Sequence, residues 1–214
     1  MPGSVKRDYR SELRTAQARQ TRRSIVSEAA RLFVEDGYGA TTIDAVAEAA
    51  GVSRKTVFTA VGGKFELLKA ALDSAVAGDD QPVALADRPA MRRLLAQGDP
   101  RALITDWARI LVEIDARVAR LFQALEGAAG LDAAAQALVE ESQRQRLAGA
   151  RMIVERLAAL DALNPDLARG EAIDVAWLAT DPALFDRLVR LRGWSAKRYE
   201  EWLGQMLVQQ LVVG

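Results

Sequence analysis

The chain has 214 residues, half of them hydrophobic and 27% charged, which is enough for one good core and too apolar for a disordered segment. It contains neither Cys nor His, which excludes disulfides, Cys/His zinc sites, thiol nucleophiles and Ser-His-Asp triads, and points away from an enzyme and from any metal or cofactor. No apolar run approaches the ~20 residues that span a bilayer and no signal-peptide pattern opens the chain, so a cytoplasmic protein with no membrane partner is expected.

A net charge of zero hides an asymmetry. Residues 1–24 carry seven cationic side chains against two acidic ones, residues 1–64 sum to +4, and the rest sums to −4. A basic front end on an acidic protein suits contact with a polyanion, although a solvated tail would show the same count.

Ala, Leu, Arg and Glu dominate throughout, and no segment alternates like a strand, so the fold class expected is all-α. Residues 1–18 read as a flexible basic arm. From about Gln20 the pattern is periodic, with Ile25, Ala29, Leu32 and Phe33 on one face and a stop at Asp36-Gly37. Two short helices follow at about 42–50 and 53–60. A longer one over 64–77 has Leu67, Leu68, Ala71, Leu72 and Val76 on its inner stripe, and a hinge spans 78–86. Asp99-Pro100 opens a helix striped with Leu103, Ile104, Trp107, Leu111, Ile114, Val118, Leu121 and Phe122, closed by Gly127–Gly130. A helix over 132–163 is followed by segments at 167–180, 182–192 and 195–212, the last capped by Ser195.

The informative stretch is residues 41–61, TTIDAVAEAAGVSRKTVFTAV. Two helices of about eight residues are not stable alone, so they must be clamped over a shared core. Ala47 is small where the second helix crosses, Gly51 permits the positive φ of a tight turn, and Val46, Ala50, Val52 and Val57 supply the contacts. Thr41 or Thr42 caps the first helix and Ser53 the second. Ala-x3-Gly-x5-Val between capped flanks is a helix-turn-helix spacing. An ordinary αα-corner shares the small residue and the glycine. Ser53-Arg54-Lys55-Thr56 at the start of the second helix, and the arginines before the first, favour DNA binding.

Residues 19–73 resemble the TetR family of transcriptional regulators. They hold its "A-x-x-L-F-x-x-x-G-Y" first helix, Thr-Thr before the second, "A-x-x-A-G-V-S" in the turn and Lys-x-Glu-Leu-Leu opening the fourth helix. WSAKRYEEWLGQML (194–207) is similar to the closing helix of many members. The resemblance implies a two-fold dimer of all-helical chains. Each would have a three-helix DNA-binding domain over 19–63, a connecting helix over 64–77 and a ligand-binding and dimerisation domain over 78–214. The chain departs from the family where Phe58 replaces a frequent Tyr, and at Ala60, Val61 and Gly63. Those departures favour the alternative of a helical ligand-binding and dimerisation protein without specific DNA binding.

Residue by residue, Arg54, Lys55, Thr56 and Thr59 are placed to meet base edges, and Thr42, Ser53, Phe58 and Lys64 the backbone. Arg19, Arg22 and Arg23 would take flanking phosphate or minor groove. The partner implied is double-stranded DNA carrying a palindromic operator, with half-sites ~34–36 Å apart or more. A largely apolar small-molecule effector would release it, lined by Met91, Trp107, Leu111, Ile114, Phe122 and Met152. Arg146 falls on an inward stripe and needs either an internal carboxylate such as Glu113 or Asp115 or an anionic ligand. Trp177, Leu184, Leu188, Tyr199, Trp202 and Met206, with Leu178, Leu191, Leu203, Leu207 and Leu211, offer more apolar surface than one side of a short bundle needs, so the homodimer face is expected among them.

Overall fold

The computed structural model describes residues 4–79, 85–130 and 132–213, with side chains from residue 13 onward except that of Ala86. Eleven α-helices are found among them: α1 (Ser4–Glu35), α2 (Gly37–Ala40), α3 (Ile43–Ala49), α4 (Arg54–Ala60), α5 (Lys64–Ala77), α6 (Pro89–Leu95), α7 (Pro100–Ala129), α8 (Ala133–Ala159), α9 (Arg169–Ala179), α10 (Pro182–Phe185) and α11 (Ala196–Leu211). The described residues contain no strand, only an isolated antiparallel bridge between Leu163 and Val212. No helix among them is long and apolar enough to cross a membrane.

Two cores share one spine. Ile25, Ala29 and Phe33 of α1, Val46 and Ala47 of α3, Val57 of α4 and Leu67, Leu68 and Ala71 of α5 close the N-terminal core. Leu121, Phe122 and Leu125 from the far end of α7 complete it. The near end of α7, through Leu103, Ile104, Trp107 and Leu111, belongs to a second core with Ile153 and Leu157 of α8, Ala172 and Ala176 of α9 and Leu203, Leu207 and Leu211 of α11. One 30-residue helix, about 45 Å long, is therefore structural in both units. The hinge expected over 78–86 falls largely outside the described residues.

Several elements differ from the sequence reading. Helix α1 starts at Ser4 rather than near Gln20, because residues 4–20 contain no Gly or Pro and consist largely of good helix formers. Its residues 13–20 are exposed, so no apolar stripe marks the early turns. The short helices α2 and α6 have too few residues to show a period. Helix α8 ends at Ala159 rather than 163, where Asp161 takes a left-handed φ of 52° and the chain turns toward α11. The segment expected as one helix over 182–192 divides into α10 and a π-helical turn, Asp186–Leu191. Buried Asp186 there accepts a hydrogen bond from Gln123 Nε2 at 2.7 Å and pairs with Arg190 at 3.4 Å.

Candidate nucleic-acid interface

Helices α3 and α4 are short, and each is held at its start by a side chain. Thr42 Oγ1 accepts from the Ala45 amide at 3.1 Å, and Ser53 Oγ from the Thr56 amide at 3.1 Å. Between them Gly51 has φ 65°, the conformation the turn demands, and the Val52 amide donates to the Ala47 carbonyl at 2.9 Å. Val46 and Val57 are fully buried beneath the crossing, and Ala50 and Val52 are half-buried at its edge. Thr41 is not the cap: it is buried and donates to the Gly37 carbonyl at 2.8 Å.

This packing presents the outer side of α4. Ser53, Arg54, Lys55, Phe58 and Thr59 are exposed, and Thr56 is half-buried with its hydroxyl 2.8 Å from that of Ser53. Thr59 Oγ1 donates to the Lys55 carbonyl at 2.9 Å. Arg54 lies 5.7 Å over the Phe58 ring and pairs with Asp44 of α3 at 2.7 Å. An open groove of about 1680 Å³ runs between α1, α4, α5 and α7. It brings Arg19, Arg22 and Arg23 together with Ser53, Lys55, Thr56 and Thr59. Seven of the eleven expected DNA contacts thus share one concavity; Thr42, Arg54, Phe58 and Lys64 lie outside it.

Two of the eleven also hold the domain together. Arg22 Nη1 donates to the Ala60 carbonyl at 2.6 Å, tying α1 to the C-terminal end of α4, where a cation is favoured by the helix dipole. Lys64 is half-buried, donates to the Gly39 carbonyl at 3.0 Å and lies 4.6 Å from the Tyr38 ring centroid; burial lowers its pKa. Tyr38 in turn donates to Asp132 at 3.3 Å. Gly63 has no side chain to cap α5, and Glu66 reaches back to accept from the Gly63 amide at 2.9 Å.

The residues expected to line an effector pocket are divided between the two cores. Met91, Trp107 and Leu111 are buried in the second core, with Ile114 and Met152 packed against it, while Phe122 belongs to the first. Arg146 bridges the two. Its guanidinium lies 5.6 Å from the Phe122 ring centroid and 5.8 Å from that of Trp177. It donates to the Thr180 carbonyl at 3.3 Å. Its carboxylate is Asp181 at 3.7 Å rather than Glu113, which is exposed and paired with Arg109 at 3.5 Å. The expected dimer face also needs correction. Tyr199, Leu203, Leu207 and Leu211 are fully buried in the monomer core, because α11 lies along α7 and uses that stripe within the chain. Leu178 and Leu191 are exposed, and Trp177, Leu184, Leu188, Trp202 and Met206 are partly so.

Sequence reading missed the contacts that join the units. Arg117 Nε of α7 donates to the Ala75 carbonyl at 2.7 Å, and Arg120 Nη2 to the Val34 carbonyl at 2.9 Å. Both are exposed charges off the apolar stripe, so no periodicity distinguishes them from solvated arginines.

A capped helix-turn-helix beside a basic groove, mounted on a larger helical body, defines a two-domain helix-turn-helix protein. Residues 25–71 match the model of the bacterial regulatory proteins of the tetR family. Two relatives from Pseudomonas putida are each 41% identical over 59 residues, 28% of this chain. They are the uncharacterized HTH-type transcriptional regulator TtgW and the HTH-type transcriptional regulator SrpR. The match spans 44% of the first and 28% of the second, less than half of either. The structure of a SmeT–triclosan complex, SmeT being the repressor of a Stenotrophomonas maltophilia multidrug efflux pump, superposes with a TM-score of 0.66 at 20% identity. That likeness covers 91% of this chain and 92% of that one. Residues 25–71 are thus similar in sequence to the tetR-family regulators, and the fold of the chain is similar to that of SmeT.

Proposed function

We propose that the protein is a sequence-specific DNA-binding transcriptional regulator, a homodimeric repressor that leaves a palindromic operator when a small molecule binds its helical body. The observation that carries this reading is the groove that Arg19, Arg22, Arg23 and Lys55 line together along capped α4. A helix N-terminus and a basic wall together favour phosphate, while Arg54, Lys55 and Thr59 stand exposed for base edges. One such module reads few base pairs, so two-fold repetition supplies the remaining specificity. The match to the tetR family model over residues 25–71, which include α3 and α4, supports the reading.

The test is selection of binding sites from random duplex DNA by the purified protein, followed by a salt titration on the recovered sequence. A two-fold symmetric consensus with affinity falling steeply in salt is the expected result. No enrichment at low salt, from folded dimeric protein, would instead make the chain a ligand-binding and dimerisation module.

A further inference from the structure

Four buried polar atoms in the body, contributed by α7, α8, α9 and α11, have no hydrogen-bond partner in the protein: Asp115 Oδ2, Arg146 Nε, Trp177 Nε1 and Tyr199 OH. They form one neighbourhood. Arg146 lies over the Trp177 ring and pairs loosely with Asp181. Asp115 is within electrostatic reach of Asp181 and Arg146, and Tyr199 of Asp115 and Asp181. Asp115 occupies the inner stripe of α7 with Leu111, Val118 and Phe122, where an apolar side chain would pack at no electrostatic cost. Burying a carboxyl there unpaired is destabilising, and native proteins rarely keep such a group without a use for it.

We propose that Asp115, Tyr199 and Trp177 form the recognition centre for a small organic cation, an ammonium compound with an aromatic body and a hydroxyl or ether oxygen. The inference rests on the effector-released reading above and names the chemistry of that effector. Once Asp115 is ionised, it, Glu126 and Asp181 stand against Arg146 and Arg187, which leaves the cluster one positive charge short; a proton on Asp115 meets that shortfall in the free protein. An ammonium group donates to Asp115 Oδ2 and to the Tyr199 oxygen. The ligand oxygen accepts from Trp177 Nε1 or Arg146 Nε. Asp115 is 2% exposed and Tyr199 fully buried, so the bound state has an opened packing of α7, α9 and α11. That opening biases α7, which also carries Arg117 and Arg120, the two ties to α5 and α1.

Burial and the Asp181 charge push the Asp115 carboxyl up to about 8, against the opposing pull of Arg146. The free protein therefore holds a proton there at neutral pH, and a bound cation expels it. The probe is 2-amino-1-phenylethanol, protonated across the range used. Its neutral and anionic counterparts are 1-phenyl-1,2-ethanediol and mandelate. Calorimetric titration of the full chain should show the amine binding about tenfold more tightly at pH 7 than at pH 6, with proton release. Both counterparts should bind at least about tenfold more weakly, as expected for a lost charge-assisted contact. Asp115→Asn should abolish both the cation preference and the pH slope. Tyr199→Phe should weaken binding severalfold and keep the slope. No binding of the amine to the wild type, a preference for mandelate, or an unaltered Asp115→Asn variant overturns the proposal. Operator binding without the probe separates the two readings. A protein that binds the amine through Asp115 but no operator keeps the site and loses the regulator. One that binds operator but no amine does the reverse.

Discussion

Arg117 of α7 donates its Nε hydrogen to the Ala75 carbonyl at 2.7 Å, in the last turn of α5, and lies 3.4 Å from the Val76 carbonyl through Nη2. The carbonyls at a helix C-terminus lack intrahelical partners and carry the negative end of the dipole, so a guanidinium satisfies both at once. Gly78 is required there by its backbone conformation rather than by space. Its φ of 78° ends α5 in the left-handed conformation, and a Cβ there would sit 3.5 Å from the guanidinium. Three residues on, Arg120 makes the equivalent contact to Val34 at the end of α1. The helix-turn-helix unit is thus held at two helix ends by consecutive turns of the helix that runs into the other core.

Removing that hold should loosen the connection without unfolding either core. Arg117→Met keeps the stem and deletes the donors, so a stability loss of about 1 kcal/mol is expected. Amide exchange should accelerate in the last turn of α5 and stay unchanged in α11. Uniform acceleration across the chain would show that Arg117 contributes to global stability rather than to the junction.

Lys64 has an internal task besides any phosphate contact. With one ammonium hydrogen on the Gly39 carbonyl and the Tyr38 ring 4.6 Å away, it ties the start of α5 to α2. Lys64→Met should lower the melting temperature by a few degrees, since a charged hydrogen bond and a cation–π contact together contribute about 1–2 kcal/mol. If Lys64 also meets a phosphate, the log–log salt slope of DNA binding falls by about one unit in the same variant. A shifted melting temperature with an unshifted slope would confine it to the structural role.

How far these features were legible in the chain depends on the distance over which they are encoded. The helix-turn-helix was readable because Ala47, Gly51 and Val57 act within one short corner, and the α7 stripe because a 30-residue helix repeats its period many times. Arg146 was legible as an inward charge but not in its partner. Asp181 lies 35 positions on, and no helical period connects them. Tyr199 was misread for a related reason: an apolar stripe has the same sequence whether it faces α7 or a second copy of the chain. Asp115 did leave a signal, a carboxylate in register with Leu111, Val118 and Phe122.

Arg54 is preset before any DNA arrives. Its pairing with Asp44 at 2.7 Å and its position over Phe58 fix the guanidinium on the exposed side of α4, although both partners are more than half exposed and the pair contributes little stability. Arg54→Ala should relax the preference at one base position per half-site, by about 1–3 kcal/mol of discrimination. Asp44→Asn should raise affinity for all duplexes and blur that same position, because it removes a negative charge and the restraint together. Repeating the site selection with each variant reads both effects, and an equal loss at every position after Arg54→Ala would make it a backbone contact.

The exposed apolar residues left after Tyr199 is assigned to the core are few enough to test singly. Leu191 is 75% exposed and Leu178 58%, and a two-fold contact through this part of the chain would bury them. Leu191→Glu and Leu178→Glu should each shift the protein toward monomer in sedimentation at micromolar concentration, with unchanged helicity. Operator affinity should then become steeply concentration-dependent. A dimer indifferent to both substitutions would place the two-fold interface on other helices.

The pH dependence of stability follows from Asp115 with a definite sign. In the unfolded chain its pKa is near 3.9, and in the folded one burial raises it to about 8. Between these values the native state binds a proton that the unfolded state does not, so unfolding free energy falls as pH rises, by up to about 1.4 kcal/mol per unit from this group. The decline should level off above pH 8, where Asp115 ionises in both states. Asp115→Asn has no such group to ionise. The difference in unfolding free energy between the two proteins, followed by urea titration from pH 5 to pH 9, should therefore grow in favour of the variant up to about pH 8 and then stay constant. A difference that does not vary with pH would mean that Asp115 is ionised in the folded protein throughout, and that Arg146 and a rearranged neighbourhood already supply the charge it lacks.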